Sequence, residues 1–388
     1  MPLIVENVSF HCKDFSSYVT ALIRGLALSC CLLIIGTYTS KAEISVTDIT
    51  GREVTIAALP KRILLTESWY YPALAILDKQ AAARIIGIGG NPGDILPETA
   101  QDLSDKPRLG SVWARTFSIE KALELKPDLV IADARFGGLP PEIMAAFAKT
   151  EVPVIYVDFN TNPVENTVAS ITITGRAIDA EEKVAEFIAF LRQHVERITE
   201  RLKTHGLTRP KLLIMAYGPG VSCCLASPDR GVTTYFGGMG MTNIASNAEK
   251  SSSTPATQLS LEYIIESDPE IFIANVGRQG TDSLFGKPRS VAQAVANLEK
   301  LRQEPGLRDV SAVRNGRVHA TDLSLLVSPL NFIGFEALAK WVHPELFADI
   351  DPQTTLDEVN KRFLKTPLKG PFWASLDEAA DRVSGKHQ

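Results

Sequence analysis

The stretch SIEKALELKPDLV at residues 118–130 returns in the second half of the chain as SLEYIIESDPEIF at residues 260–272. In both copies a serine is followed two residues later by a glutamate, and a proline stands seven residues after the glutamate, before a short apolar run. Serine caps helix N-termini, glutamate favours the positive end of the helix dipole, and proline ends the helix before a buried strand. One copy indicates only a common helix–strand unit, but one copy per half favours two related lobes.

The segments around the two copies predict parallel βαβ units, because short β-branched runs alternate with helix-forming stretches. In the first half the runs lie at 63–66, 85–88, 129–132 and 154–157, after a predicted hairpin at Gly51 and Arg52. In the second half they lie at 212–216, 271–274 and 317–321. We therefore predict an α/β fold of two Rossmann-like lobes.

Residues 177–204 contain neither Gly nor Pro, and apolar residues between Val184 and Leu202 recur at helical spacing. This pattern predicts one rigid amphipathic helix, ~37 Å long and capped by Asp179 with Glu182. Such a helix either joins two lobes or lies in the core of one domain. The predicted domains are an N-terminal lobe (43–165), a long interlobe helix region (166–206), a C-terminal lobe (207–348) and a polar, peripheral C-terminal tail (349–388).

Residues 1–42 have the pattern of a cleaved signal peptide. Arg24 precedes an apolar stretch at 25–38, and Ser40 to Ala42 offer a small-x-small cleavage site. A membrane anchor is the alternative, but the stretch is shorter than the ~20 residues that cross a bilayer. Lipid anchoring would use Cys30 or Cys31, although the apolar run continues beyond them. We expect a periplasmic protein.

Composition excludes some partners and frameworks. A net charge of -5 gives no basic field that would attract nucleic acid. After cleavage only the adjacent Cys223 and Cys224 remain, so we expect two thiols in a loop, with a vicinal disulfide as the alternative.

No enzyme signature is present. The glycines at 87–90 lead to Pro92 where a dinucleotide loop needs glycine, and the chain has no phosphate-binding loop, no G-x-S-x-G elbow and no H-E-x-x-H motif. The chain has few histidines after residue 42: His319 and His343 are widely separated, and we expect His194 and His205 on or just after a solvated helix face. The sequence predicts no catalytic residues, no metal ligands and no resident cofactor.

Aromatic and arginine side chains cluster after predicted strands, at the ends that face ligands in open α/β sheets. Aromatic rings give flat walls and arginines give fixed donors, which suits a bulky, partly anionic ligand with rings. The candidate ligand-binding residues are Trp69, Tyr70, Tyr71, Trp113, Arg115, Arg135, Phe136, Tyr217, Arg230 and Arg278.

Residues 44–347 resemble the class III periplasmic solute-binding proteins of ABC importers, which carry ferric siderophores, heme and cobalamin. The resemblance rests on the order and spacing of several loose motifs around the long helix. They are DITGREV at 48–54, PKRI at 60–63, the first copy of the repeat at 118–130, AVRNGRV at 312–318 and HPELF at 343–347.

The resemblance implies a ligand cleft between the lobes and delivery of the ligand to a permease in the inner membrane. It also implies that Glu120 and Glu262 pair with arginines of the permease, although helix capping explains a glutamate there equally well. We expect a monomer that binds a ferric siderophore, with the iron held by the siderophore. Heme, ligated by Tyr70, Tyr71 or Tyr217, and cobalamin, walled by Trp residues, are the alternatives within the class. An envelope enzyme and a ligand-sensor subunit are the alternatives outside it.

Overall fold

The computed structural model describes residues 43–90, 96–163, 165–205, 209–216, 223–229, 231–247, 257–276 and 290–376. The predicted signal peptide at 1–42 lies outside these ranges, and the described residues from Ile44 onward form one compact unit. Among the described helices, none is long and apolar enough to cross a membrane.

The first lobe is a parallel four-stranded sheet preceded by a hairpin. The hairpin pairs β1 (Ile44–Thr47) with β2 (Glu53–Ile56) in antiparallel register. The sheet has the order β4-β3-β5-β6, formed by β3 (Ile63–Leu65), β4 (Ile85–Ile88), β5 (Leu129–Asp133) and β6 (Val154–Val157). Its helices are α1 (Tyr71–Leu77), α2 (Ala81–Arg84), α3 (Pro97–Asp102), α4 (Ile119–Glu124) and α5 (Pro141–Lys149). The predicted strands and the parallel topology are confirmed.

The second lobe has a sheet with a parallel centre. The centre is β7 (Lys211–Ala216), β11 (Ile271–Val276) and β12 (Val318–Asp322). Around it lie β8 (Leu225–Ala226), β9 (Thr242–Asn243), β10 (Thr257–Gln258) and β13 (Trp373–Ser375). Of these, β8, β10 and β13 add antiparallel pairings, whereas β9 pairs with β7 in parallel. Its helices are α8 (Thr234–Gly238), α9 (Leu261–Ser267), α10 (Val291–Glu299), α11 (Ser311–Arg314), α12 (Leu323–Leu326) and α13 (Asn331–Val342).

Two helices, rather than one, occupy the interlobe region. They are α6 (Glu165–Ala177) and α7 (Glu181–Thr204), and Asp179 between them has a positive φ of 59°. The residue before α7 is Ala180, which makes no side-chain cap, so the predicted capping box at Asp179 is wrong. The long helix itself is confirmed, and its buried face packs on α13.

The face of α7 that meets α13 also contains a charged contact. His194 Nδ1 lies 2.6 Å from Oε1 of the fully buried Glu336, and Arg197 Nη2 donates to the same oxygen at 3.2 Å. The expectation that His194 lies on a solvated face is therefore wrong, because α13 covers it.

The segment after residue 348 is part of the fold and not a peripheral tail. Helix α14 (Pro352–Arg362) contacts α13, and β13 adds an antiparallel edge strand to β12. Phe363 and Phe372 are each 1% exposed. The prediction of a peripheral tail is wrong for residues 349–376, because their few apolar side chains fill the core.

The repeated sequence element has the same structure in both lobes. Ser118 Oγ accepts the backbone N–H of Lys121, and Ser260 Oγ accepts that of Tyr263, so each serine caps its helix. The acid after each proline accepts a backbone N–H at the start of the neighbouring central strand: Asp128 from Arg62 at 2.8 Å, and Glu270 from Lys211 at 3.1 Å. The repeat therefore fixes a helix start and a strand start in each lobe.

Candidate functional site

The carboxyl ends of the first-lobe strands meet at one edge of the sheet, where ligands bind in open α/β sheets. Cross-strand hydrogen bonds hold the loops together there. Gly89 N donates to Leu65 O at 2.7 Å, and Thr66 Oγ1 accepts the backbone N–H of Asp133 at 3.3 Å. The loops after β3, β4 and β5 therefore start from one rigid edge.

Residues 110–116 form a compact loop that presents Trp113. Thr116 N donates to Ser111 O at 2.9 Å, Ser111 N donates to Thr116 Oγ1 at 3.0 Å, and Ala114 N donates to Ser111 Oγ at 3.2 Å. The side chain of Trp113 is 62% exposed, and Arg115 beside it is also exposed. Arg115 has a positive φ of 55°, a conformation that costs energy for a residue with a side chain and is concentrated at functional sites.

Arg135 and Asp133 form an ion pair at the end of β5. Arg135 Nη2 and Nε lie 2.5 Å and 2.8 Å from Asp133 Oδ2, and the backbone N–H of Arg135 donates to Asp133 Oδ1 at 2.8 Å. The guanidinium lies 4.9 Å from the ring centroid of Trp69. Burial alone would lower the pKa of Arg135, but the Asp133 carboxylate raises it above its usual value. The predicted role of Arg135 as a donor to an anionic ligand needs correction, because Asp133 already engages it.

Trp69 and Tyr70 lie beneath this pair. Trp69 is 5% exposed and Tyr70 is 2% exposed, and Tyr70 packs on Phe159 with ring centroids 5.8 Å apart. Burial raises the pKa of the Tyr70 hydroxyl well above its usual value, so a phenolate is disfavoured there. Tyr70 is a core residue, and its burial argues against its candidate role in binding a ligand or heme iron.

Tyr71 is also a core residue, at the start of the wholly buried helix α1. Its hydroxyl donates to Asp102 Oδ2 at 3.0 Å, and burial raises its pKa. A groove of about 360 Å³ lies on this side of the lobe, lined by Tyr71, Lys79, Asp102, Lys365 and neighbouring residues. Tyr71 is buried and its hydroxyl already binds Asp102, which argues against its predicted role in binding a ligand.

Two carboxyl groups at the edge were missed by the sequence prediction. Asp133 directly follows the buried run of β5, and Glu67 follows β3 and is 3% exposed. An Ala Cβ at Gly90 would lie 2.7 Å from Glu67 Oε2, so the glycine makes room for this carboxyl. The signal was present in the sequence, because a polar residue directly after a buried parallel strand faces the ligand edge.

The remaining candidate residues are only partly described. Phe136 lies in a short 3-10 turn at Arg135–Gly137, and its side chain is outside the description. Tyr217, Arg230 and Arg278 lie outside the described residues. Their roles stay predictions.

Glu120 and Glu262 are exposed, and each lies in the first turn of a helix. The helix dipole favours a carboxylate in this first turn. Each glutamate is exposed to solvent on its own lobe. The two carboxylates are therefore accessible to a partner.

The sulfur atoms of Cys223 and Cys224 are joined in a vicinal disulfide. The expectation of two free thiols is therefore wrong. Within the described ranges, no group of three or more His, Cys, Asp or Glu side chains is arranged to hold a metal ion.

A family model described as "Periplasmic binding protein" matches residues 80–324, which is more than half of the chain, and the chain belongs to this family. The chain is 23% identical over 313 residues to YvrC of Bacillus subtilis (strain 168), an uncharacterized ABC transporter substrate-binding lipoprotein. The match covers 79% of this chain and 87% of YvrC. The chain is also 25% identical over 316 residues to the petrobactin-binding protein YclQ of the same organism. That match covers 79% of this chain and 90% of YclQ.

The crystal structure of the TroA-like periplasmic binding protein FepB from Veillonella parvula shares the fold. The TM-score is 0.73 at 23% identity, over 85% of this chain and 99% of that one. The family consists of substrate-binding proteins and not enzymes, in agreement with the sequence-based prediction. A protein of this class binds a small molecule for a membrane permease.

Proposed function

We propose that the protein captures a ferric siderophore in the periplasm and delivers it to the permease of an ABC importer in the inner membrane. It acts as a monomer without a resident cofactor. The observation that carries this proposal is the exposed Trp113 beside Arg115, on a loop held by its own hydrogen bonds at the ligand edge.

The chemistry of this loop fits a chelate with rings and oxygen donors. An exposed indole offers a flat apolar face, and the neighbouring guanidinium offers directed donors to hydroxamate, catecholate or carboxylate oxygens. Because the loop is already ordered, little entropy is lost when it contacts a ligand. The petrobactin-binding relative supports the same class of cargo.

Glu120 and Glu262 serve as the contacts with the permease. Both are exposed, one in each lobe, and the same capped helix presents each of them. Two like carboxylates on matching elements suit a partner that offers basic side chains in two matching positions.

Export follows from the apolar segment at 25–38. We propose cleavage near Ala42, which would release the mature protein into the periplasm. The mass of the processed protein tests this directly. A mass that includes a lipid on Cys30 or Cys31 would instead indicate anchoring, as in a lipoprotein.

The test is a fluorescence titration of the mature protein with ferric siderophores. We expect quenching of Trp fluorescence at roughly micromolar concentration or below. The variant Trp113→Phe should lose most of the quenching and bind more weakly. The control is Trp373→Phe, because Trp373 lies in the edge strand β13 of the second lobe, and it should retain both the quenching and the affinity. No quenching with siderophores, together with a Soret band on adding heme, would assign heme as the cargo instead.

A further inference from the structure

We propose that Asp133 is a specificity-determining residue: by holding Arg135 in a closed ion pair, it favours chelates of low net charge over polyanionic ones. This inference rests on the proposed function. The inference adds the charge class of the bound chelate to that function.

The ion pair leaves little of the guanidinium available to a ligand. Asp133 contacts Arg135 through both carboxylate oxygens, and the two side chains are only 15% and 10% exposed. The backbone N–H of Arg135 also binds Asp133 Oδ1, so the carboxylate is fixed from two directions. An anionic ligand group that replaced Asp133 would break a short, charge-assisted, bidentate contact.

A further carboxyl group lies near the pair. The carboxyl of Glu67 is close enough to act on Arg135 electrostatically, and Trp69 covers one face of the guanidinium. Separating such a partly buried ion pair is unfavourable, because each charge would lose its partner in surroundings that water screens only in part. A polyanionic chelate would have to offset that cost and would also face two carboxyl groups.

Arg115 shows the contrast. It is exposed, and it makes no ion pair within the described ranges. The first-lobe edge therefore offers one available guanidinium at Arg115 and one neutralised guanidinium at Arg135. This arrangement suits a chelate with few negative charges, such as a ferric trihydroxamate, better than a trianionic ferric tricatecholate.

The experiment compares three probes by fluorescence titration: a neutral ferric trihydroxamate, a trihydroxamate with a free ammonium group, and a ferric tricatecholate. The wild-type protein should bind both trihydroxamates more tightly than the tricatecholate. Asp133→Asn should lower the dissociation constant for the tricatecholate about tenfold or more, and should change those for the trihydroxamates by less than about threefold.

Two further variants distinguish an effect of the freed Arg135 guanidinium from an effect of the changed net charge. Asp158→Asn removes a negative charge at the same sheet edge and should give no gain in affinity for the tricatecholate. It is a suitable control because the Asp158 carboxylate accepts the backbone N–H of Asn160 and does not bind an arginine. The double variant Asp133→Asn/Arg135→Gln should also give no gain. An equal gain in either of these variants would overturn the role of Asp133.

The ranking of the wild-type protein tests the inference even if Asp133→Asn does not fold. Tighter binding of the tricatecholate than of both trihydroxamates would overturn the inference and leave the proposed function standing. Binding of none of the three ferric chelates would instead contradict the proposed function.

Discussion

The side-chain amide of Asn331 lies 2.8 Å from Thr167 Oγ1, and its Nδ2 donates to that oxygen across the boundary between α13 and α6. Asn331 Oδ1 accepts the hydroxyl of Tyr235, also at 2.8 Å. All three side chains are buried. One amide therefore ties α13 of the second lobe to α6, the helix that follows the first lobe.

We expect Asn331→Leu to lower the free energy of unfolding by about 2 to 4 kcal/mol, because it leaves two buried hydroxyl groups without this partner. Urea unfolding measures the change. Asn162→Leu is the matched control, since Asn162 makes an exposed hydrogen bond to Glu165. It should change stability by less than about 0.5 kcal/mol. Equal effects of the two substitutions would contradict the role of Asn331.

The close approach of β4 to β3 predicts a second effect on stability. An alanine Cβ at Gly89 would lie 2.1 Å from Thr66 O, so the strands must move apart to accept it. We expect Gly89→Ala to cost about 2 kcal/mol or more and to weaken ligand binding at the displaced edge.

Gly238→Ala is the control for this substitution. Gly238 ends α8, and a Cβ there meets nothing within 4 Å. It should be neutral or stabilising by up to about 1 kcal/mol in thermal unfolding. If Gly89→Ala changed thermal stability as little as Gly238→Ala does, this would contradict the close contact between Gly89 and Thr66.

His319 makes stability depend on pH. It is fully buried, stacks on Trp341 and lies 2.8 Å from Ser375 Oγ. Burial, with a smaller effect of Arg317, lowers the pKa of His319 to about 3. Because the unfolded chain has a histidine pKa of about 6.5, this contribution is complete above that pH and is lost as the pH falls towards 3.

Between pH 6.5 and pH 5 this group alone should lower the free energy of unfolding by roughly 1.5 kcal/mol. His319→Phe keeps an aromatic ring but cannot titrate, so urea unfolding of this variant should show a flatter pH profile over the same range. An unchanged slope would mean that His319 is protonated in the folded protein.

Because Glu120 and Glu262 are proposed to contact the permease and not the ligand, substitutions there should impair transport without changing ligand binding. The double variant Glu120→Arg/Glu262→Arg should abolish cellular uptake of iron while leaving the dissociation constant for the ligand within about twofold. Glu181→Arg is the control, because Glu181 is also an exposed first-turn glutamate. Loss of affinity in the double variant would place the two glutamates at the ligand instead.

The strands and most helices could be predicted because their signals are local. The β-branched runs, the serine caps and the proline stops each act within a few residues, so β5 and α4 lie where the pattern places them. The start of the long helix was predicted less accurately, because Asp179 takes a positive φ that composition does not reveal, and the helix begins at Glu181.

The positions of the aromatic side chains could not be predicted in the same way. Tyr70 and Tyr71 follow a strand, which suggested the ligand edge, but α1 begins at Tyr71 and is buried along its whole length. An apolar run without a polar face indicates a buried helix, and YYPALAIL carried that signal. The polar composition of the last 40 residues similarly obscured Phe363 and Phe372, which complete the core.

Native mass spectrometry of the protein recovered from its own cell envelope, with its absorption spectrum, tests the central claim most directly. We expect a complex of one protein chain with one ferric chelate, showing the absorption of the chelate and losing the extra mass when a competing chelator removes it. A protein that carries heme, or that converts the supplied chelate into a product, would contradict the claim.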